Sequence, residues 1–201
     1  MKKQSSTPEP VQEELPIETR VANALSRTEI LDIHTHLYDP AMGKMLLWGI
    51  DELLTYHYLV AEAFRWLPVA YSDFFALEKS EQAEFIWNEL FIRHSPISES
   101  CRGVITTLNM LGLDVRKRDL KAIRKWFAAR TVEEHVDDIM GLAGLSRVVM
   151  TNSPFDHAEA ECWRTGFTRD SRFLSALRID PLVLVFKNTV PFLREHGFEV
   201  Q

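Results

Sequence analysis

Three short runs of strand-forming residues stand in a chain otherwise patterned for helix, and their order leaves few folds open. The runs are 30–36, led by Ile30, Leu31 and Ile33, then 147–151, then 173–178. Each ends in turn or loop residues: Tyr38-Asp39-Pro40, Asn152-Ser153-Pro154-Phe155-Asp156 and Ile179-Asp180-Pro181. A helical stretch follows each one. Strands that alternate with helices form βα units, because parallel neighbours need a long crossover where antiparallel ones need only a tight turn. The expected class is therefore α/β with a parallel sheet, and the first strand is expected to be buried.

The crossover after the first strand is unusually long, a helical stretch over 41–145. Ile50, Leu53, Leu54, His57, Ala61 and Phe64 recur at helical spacing, with Asp51 and Glu52 in the favourable first turn. Ser80 is expected to cap a helix over 81–93. Ser98 is expected to cap another with Cys101, Val104, Ile105, Leu108 and Leu111 inward, ended by Gly112. A basic helix turns Leu120, Ile123, Trp126 and Phe127 inward. Thr131-Val132-Glu133-Glu134 is a capping box, with Gly144 as the stop. Residues 18–28 predict a short helix. Residues 1–17, polar and carrying Pro8, Pro10 and Pro16, predict a loose tail ahead of a single unit over 18–201.

Composition removes several classes of function. The 201 residues carry 23 Lys+Arg against 29 Asp+Glu, a net charge of −6, which leaves no basic surplus to neutralise nucleic-acid phosphates. Apolar residues make up 46%, enough for a real core and too many for a disordered chain. Two cysteines, Cys101 and Cys162, imply no disulfide framework. No apolar stretch approaches the ~20 residues that span a bilayer, and the basic start Met1-Lys2-Lys3 lacks the apolar run of a signal peptide. The expected setting is cytoplasmic, with neither membrane nor nucleic acid as partner.

Chemistry concentrates at the ends of the strands. In His34-Thr35-His36, positions i and i+2 of a strand share a face, so two imidazoles can chelate one divalent cation such as Zn, Ni, Fe or Mn. The end of an apolar strand, just before a loop, is where active sites of parallel α/β folds gather. Two ligands are an incomplete set; Asp32 is expected on the same side, as a deeper ligand or a structural partner. Tyr56-His57-Tyr58 with Arg65 is a second cluster. There His57 is either a core histidine or a ligand contact, and Tyr58 a hydroxyl able to move a proton. In Thr151–His157, helix capping by Ser153 or Asp156, with Pro154 in the first turn, accounts for most residues. Arg178 either grips a carboxylate with two parallel bonds or pairs with Asp180. His94, His135, His157 and His196 show no ligand spacing and are expected at the surface or at helix ends.

These residues, in this order, resemble the N-terminal part of a uronate (glucuronate) isomerase, a family of the metal-dependent amidohydrolase superfamily. Asp32-Ile33-His34-Thr35-His36-Leu37 is similar to its first-strand metal motif, and Tyr56-His57-Tyr58 with Arg65 to its His-Tyr helix motif. Thr151-Asn152-Ser153-Pro154-Phe155-Asp156 resembles its Thr-Asp-Asp-Pro-x-Asp loop, with Asn152 and Ser153 in place of two acids. Leu177-Arg178-Ile179-Asp180 resembles its Arg-Pro-Asp segment, with Ile179 in place of proline. The resemblance implies the first three strands of a (β/α)8 barrel with a helical insertion after the first. A complete barrel has eight strands and about 250 residues.

It also implies aldose–ketose isomerisation of D-glucuronate to D-fructuronate and of D-galacturonate to D-tagaturonate. His34 and His36 would be metal ligands, with zinc the expected cation. His57 and Tyr58 would be catalytic and sugar-contacting residues, and Arg178 a substrate-binding one. The implied partners are a small uronate sugar and either a second copy of the chain or the rest of the barrel. A hydrolase of the same superfamily, and a non-catalytic binding or assembly protein, are the alternative readings.

Overall fold

The computed structural model describes residues 15–35 and 37–200. Its frame is a sheet of three strands, β1 (Ile30–Thr35), β2 (Leu145–Asn152) and β3 (Phe173–Leu177), in the order β1-β2-β3 with both pairs parallel. The α/β class and the parallel sheet expected from the strand spacing are both present. Of the tail expected over 1–17, residues 1–14 lie outside the described part, and Ile17 already opens α1 (Ile17–Leu25).

Between β1 and β2 the chain runs through helices only. A 3-10 turn over Pro40–Met45 leads to α2 (Ile50–Leu54), α3 (His57–Ala63), α4 (Tyr71–Phe75) and α5 (Lys79–Trp87). A π-helical turn, Asn88–Arg93, extends α5, and α6 (Glu99–Met110), α7 (Leu120–Ala128) and α8 (Val132–Ala143) follow. After β2 comes α9 (His157–Thr165), and after β3 come α10 (Asp180–Leu184) and α11 (Phe186–Glu195).

Local chemistry sets many of these boundaries. The Ser98 hydroxyl accepts from the Cys101 N–H at 3.1 Å. Thr131 and Glu134 exchange the two bonds of a capping box, at 3.2 and 2.9 Å. Gly144 ends α8 at φ 65°, a left-handed conformation that glycine adopts without strain. Two boundaries differ from expectation. The first helix after the turn breaks at Thr55–Tyr56, where the Thr55 hydroxyl bonds back to the Asp51 carbonyl at 2.7 Å and competes with the helical ladder. And α5 is capped by Glu78, which forms a box with Glu81, two residues before the expected cap Ser80.

The helices from α2 to α7 share one core, in which Leu54, Ala63, Phe74, Ile86, Leu90 and Leu108 are sealed from solvent. A second, smaller core lies under the sheet. There Val148 and Met150 of β2 and Phe173 of β3 pack against Val136 and Met140 of α8 and against Met42 and Leu46 beside the 3-10 turn. Asp39, also buried, ties this layer together. Its carboxylate accepts from Ala41 N–H at 2.9 Å and from Asp170 N–H at 2.8 Å.

Among the described residues the sheet is covered on this face alone. Val148, Met150 and Asn152 are buried, while the alternate residues of β2 are less so. On β1, Leu31 is half-exposed and Ile33 is 76% exposed. The expectation of a buried first strand is therefore corrected. An apolar run marks a surface that seeks cover, and among the described residues nothing covers β1 on that side. No helix among the described residues is long and apolar enough to cross a membrane.

Candidate functional site

The three strands are parallel, so their C-terminal ends lie at one edge of the sheet, and the residues there form the candidate site. On β1, Asp32 pairs with Val148 and Thr35 with Met150, so β1 takes three steps where β2 takes two. That is a β-bulge at Ile33–His34. The extra residue changes which side chains share a face. Asp32 keeps the register of buried Val148, whereas His34, next to Thr35, falls on the uncovered side and is exposed. Asp32 therefore leaves the side expected for it. Its carboxylate accepts from the His34 N–H at 3.0 Å, making it a structural partner of the bulge. His36 lies outside the described residues. Among those described, no group of three or more His, Cys, Asp or Glu is placed to hold a metal ion.

β2 brings Asn152 and the loop behind it. Asp156 caps α9, accepting from the Ala158 and Glu159 N–H groups at 3.0 Å each. Asp156 is thus the cap, while Pro154, expected in the first turn, lies two residues before the cap because the helix starts at His157. β3 brings Arg178, whose Nε donates to Asp180 at 2.8 Å on an open surface. This ion pair is one of the two partners the sequence left open.

A feature the sequence did not single out is Glu159, a carboxylate 1% exposed in the first turn of α9. Asn152 Nδ2 donates to its Oε1 at 2.7 Å and Trp163 Nε1 to the same oxygen at 3.1 Å. Ser153 N–H donates to Oε2 at 2.9 Å. The Tyr38 hydroxyl stands 3.5 Å from Oε2 and 3.5 Å from the Thr151 carbonyl. Burial, and then the charges of Glu159 and Asp156, raise the Tyr38 phenol above its ordinary range, while nearby Arg178 pulls it back. In sequence Glu159 looks like any acid in a first helical turn. Only the donors arriving from β2 and from the loop after β1 mark it out.

The second cluster sits in the helical block. His57 opens α3 and is exposed, so the break at Thr55–Tyr56 removes it from the apolar face on which helical spacing had placed it. Tyr58 is 60% exposed. The three rings stack on one another, His57 lying 4.3 Å from Tyr56 and 4.1 Å from Tyr58 between centroids. Tyr56 and Tyr58 line a cavity of about 560 Å³ with Leu53, Glu99 and Thr107. α3 itself packs on α5 and α6. Of the remaining histidines, His94, His157 and His196 lie at helix ends as expected. His135 does not: it packs on Trp48 and Phe127, and burial lowers its pKa.

No protein-family model matches the chain, and no curated protein does. Among solved structures, the chain is similar to a uronate isomerase from Bacillus halodurans C-125. The two are 52% identical with a TM-score of 0.87, over 91% of this chain and 43% of that one. The chain thus spans less than half the length of the protein it matches. At this identity the likeness extends to sequence as well as fold, and the resemblance drawn from the strand-end motifs is to a uronate isomerase, shared over one part of that protein.

Proposed function

We propose that this chain supplies the first part of the active site of an aldose–ketose isomerase acting on uronate sugars. The observation that carries the proposal is 52% identity at a TM-score of 0.87 to a uronate isomerase. The proposed architecture is the opening three strands of a (β/α)8 barrel. Two features support it: the sheet is parallel, and it is clad by helices on one face while Leu31 and Ile33 stand bare on the other. In a barrel that bare face looks inward, where side chains from the other strands fill it. The proposed partners are the uronate and the strands that would complete the barrel.

In this reading D-glucuronate and D-fructuronate interconvert by transfer of a proton between C2 and C1 through an enediol. D-galacturonate and D-tagaturonate do the same. Such a site needs a group that moves the proton and donors that hold the developing oxyanion. Tyr58 is the proposed proton carrier, with His57 beside it contacting the sugar. Arg178 is proposed to bind a substrate oxygen, exchanging its solvent-exposed Asp180 partner for it. A divalent cation, zinc first among them, suits neutral imidazole at the end of β1, and His34 with His36 would hold it. When bound it would act as a Lewis acid on a sugar oxygen. His34 supports this by its exposure on the bare side of the sheet.

The test is a chimaera in which this chain replaces the matched region of the Bacillus halodurans isomerase, with product analysis by NMR. Expected is conversion of D-glucuronate to the ketose with no water added, and a loss of about a hundredfold or more in His34→Ala. Turnover undiminished in His34→Ala would remove the histidine from the site. Cleavage of an amide or lactone in place of isomerisation would turn the assignment to a hydrolase.

A further inference from the structure

We infer that Glu159 is the positioning residue of the strand-end site, fixing the Asn152 amide, the Ser153 turn and the Tyr38 hydroxyl in one arrangement. The inference rests on the uronate reading only for the ligand named in the test; the geometry itself stands apart from it.

A carboxylate has acceptor lone pairs and nothing to donate, and Asn152 Nδ2, Trp163 Nε1 and Ser153 N are donors only. Their convergence on the two oxygens at 2.7, 3.1 and 2.9 Å leaves the Asn152 side chain one orientation. The amide must turn its NH2 toward Glu159. Its Oδ1 then faces the other way, and this buried oxygen has no hydrogen-bond partner among the described residues. Asn152 is the last residue of the middle strand and shares the helix-covered face with Val148 and Met150, so this acceptor is fixed behind the strand ends and out of solvent. A hydroxyl or water reaching it there would bring the donor that Oδ1 lacks.

The test is an NMR spectrum of side-chain amide and indole N–H groups of the whole chain, with D-glucuronate affinity measured on the chimaera with the Bacillus halodurans isomerase. Signals are assigned through Trp163→Phe and Asn152→Ala. Glu159→Gln replaces one acceptor oxygen by a donor that faces donors already present. Expected are displaced Trp163 indole and Asn152 amide signals, unchanged signals from the helical block, and D-glucuronate affinity reduced by about tenfold or more. Unmoved indole and amide signals overturn the inference. Moved signals with unaltered affinity overturn it too, since Glu159 would then hold the fold alone. A chimaera that ignores D-glucuronate counts against the uronate reading, and the indole and amide signals by themselves then decide whether Glu159 sets the amide.

Should Glu159→Gln not fold, Asn152→Asp reads the same contact from the other side. Tyr38 from the loop after β1, Asp156 from the α9 cap and Arg178 from the end of β3 are the other ionisable groups near the pair. Two carboxyls in contact raise one pKa in the folded state, so the variant gains stability as pH falls. Expected is a urea midpoint, relative to wild type, higher at about pH 5 than at about pH 8. A pH dependence identical to wild type overturns the contact.

Discussion

The helical block and the sheet reach opposite degrees of completion. From α2 to α7 the apolar faces close on one another, and Leu54, Phe74, Ile86 and Leu108 lie out of water. The sheet buries Val148, Met150 and Phe173 on one side and leaves Leu31 and Ile33 bare on the other. Apolar composition alone does not distinguish them, since β1 carries Ile30, Leu31 and Ile33, as many Ile and Leu as α2 carries in Ile50, Leu53 and Leu54. The difference is geometric. A helix buries a single stripe, and a neighbouring helix can satisfy it. A parallel strand presents two apolar faces and two hydrogen-bonding edges, and satisfying it takes several layers. Among the described residues the sheet is covered on its helix-clad face alone, and the two regions meet there through Trp48, which packs on both cores.

Phe74→Ala gives the largest test of this contrast. It empties a sealed site in the block and should cost about 3–5 kcal/mol, read from urea unfolding. A much smaller loss would show the block to be looser than its burial implies. Next is the seam. Burial lowers the pKa of His135, which packs on Trp48 and Phe127. A histidine held neutral in the fold resists the proton that the unfolded chain accepts. Its contribution is therefore complete above about pH 6.5, the unfolded value, and is lost as pH falls from there toward the lowered folded value. Thermal melts from pH 8 downward should show the loss, and His135→Phe should flatten it. A slope unchanged in His135→Phe would place the acid sensitivity elsewhere. The smallest effect is expected at the bare face: Ile33→Thr should change stability by less than about 0.5 kcal/mol. A loss comparable to that of Phe74→Ala would mean that β1 is covered in solution.

What could be read from the sequence, and what could not, follows from the range of the interactions. The Ser98 cap, the Thr131–Glu134 box and the Gly144 stop are contacts within one turn, and each is where its residues predicted it. The strands and their parallel order were legible from spacing. The break after Leu54 was not, because a threonine bonding back to Asp51 leaves no mark comparable to proline or glycine, and His57 moved off the apolar face with it. The bulge at Ile33–His34 appears only once β1 is laid against β2, and it separates Asp32 from the side of His34. Glu159 was illegible for the same reason: the groups that make it a buried anchor reach it from Tyr38, Asn152 and Ser153, and in the case of Tyr38 from far along the chain.

The Asp39 tie has a consequence for how such a chain can change. It anchors the turn leaving β1 to the segment entering β3, and that turn in turn rests on α8 and α9. The departure of the long excursion is thereby bonded to the entry of β3, and α8, its return, packs on the same turn. Provided Trp48 and Phe127 keep their packing on His135, whatever is threaded between residues 49 and 126 can lengthen, shrink or be exchanged for another bundle while the strands keep their register, in the way a branch is grafted onto a rootstock.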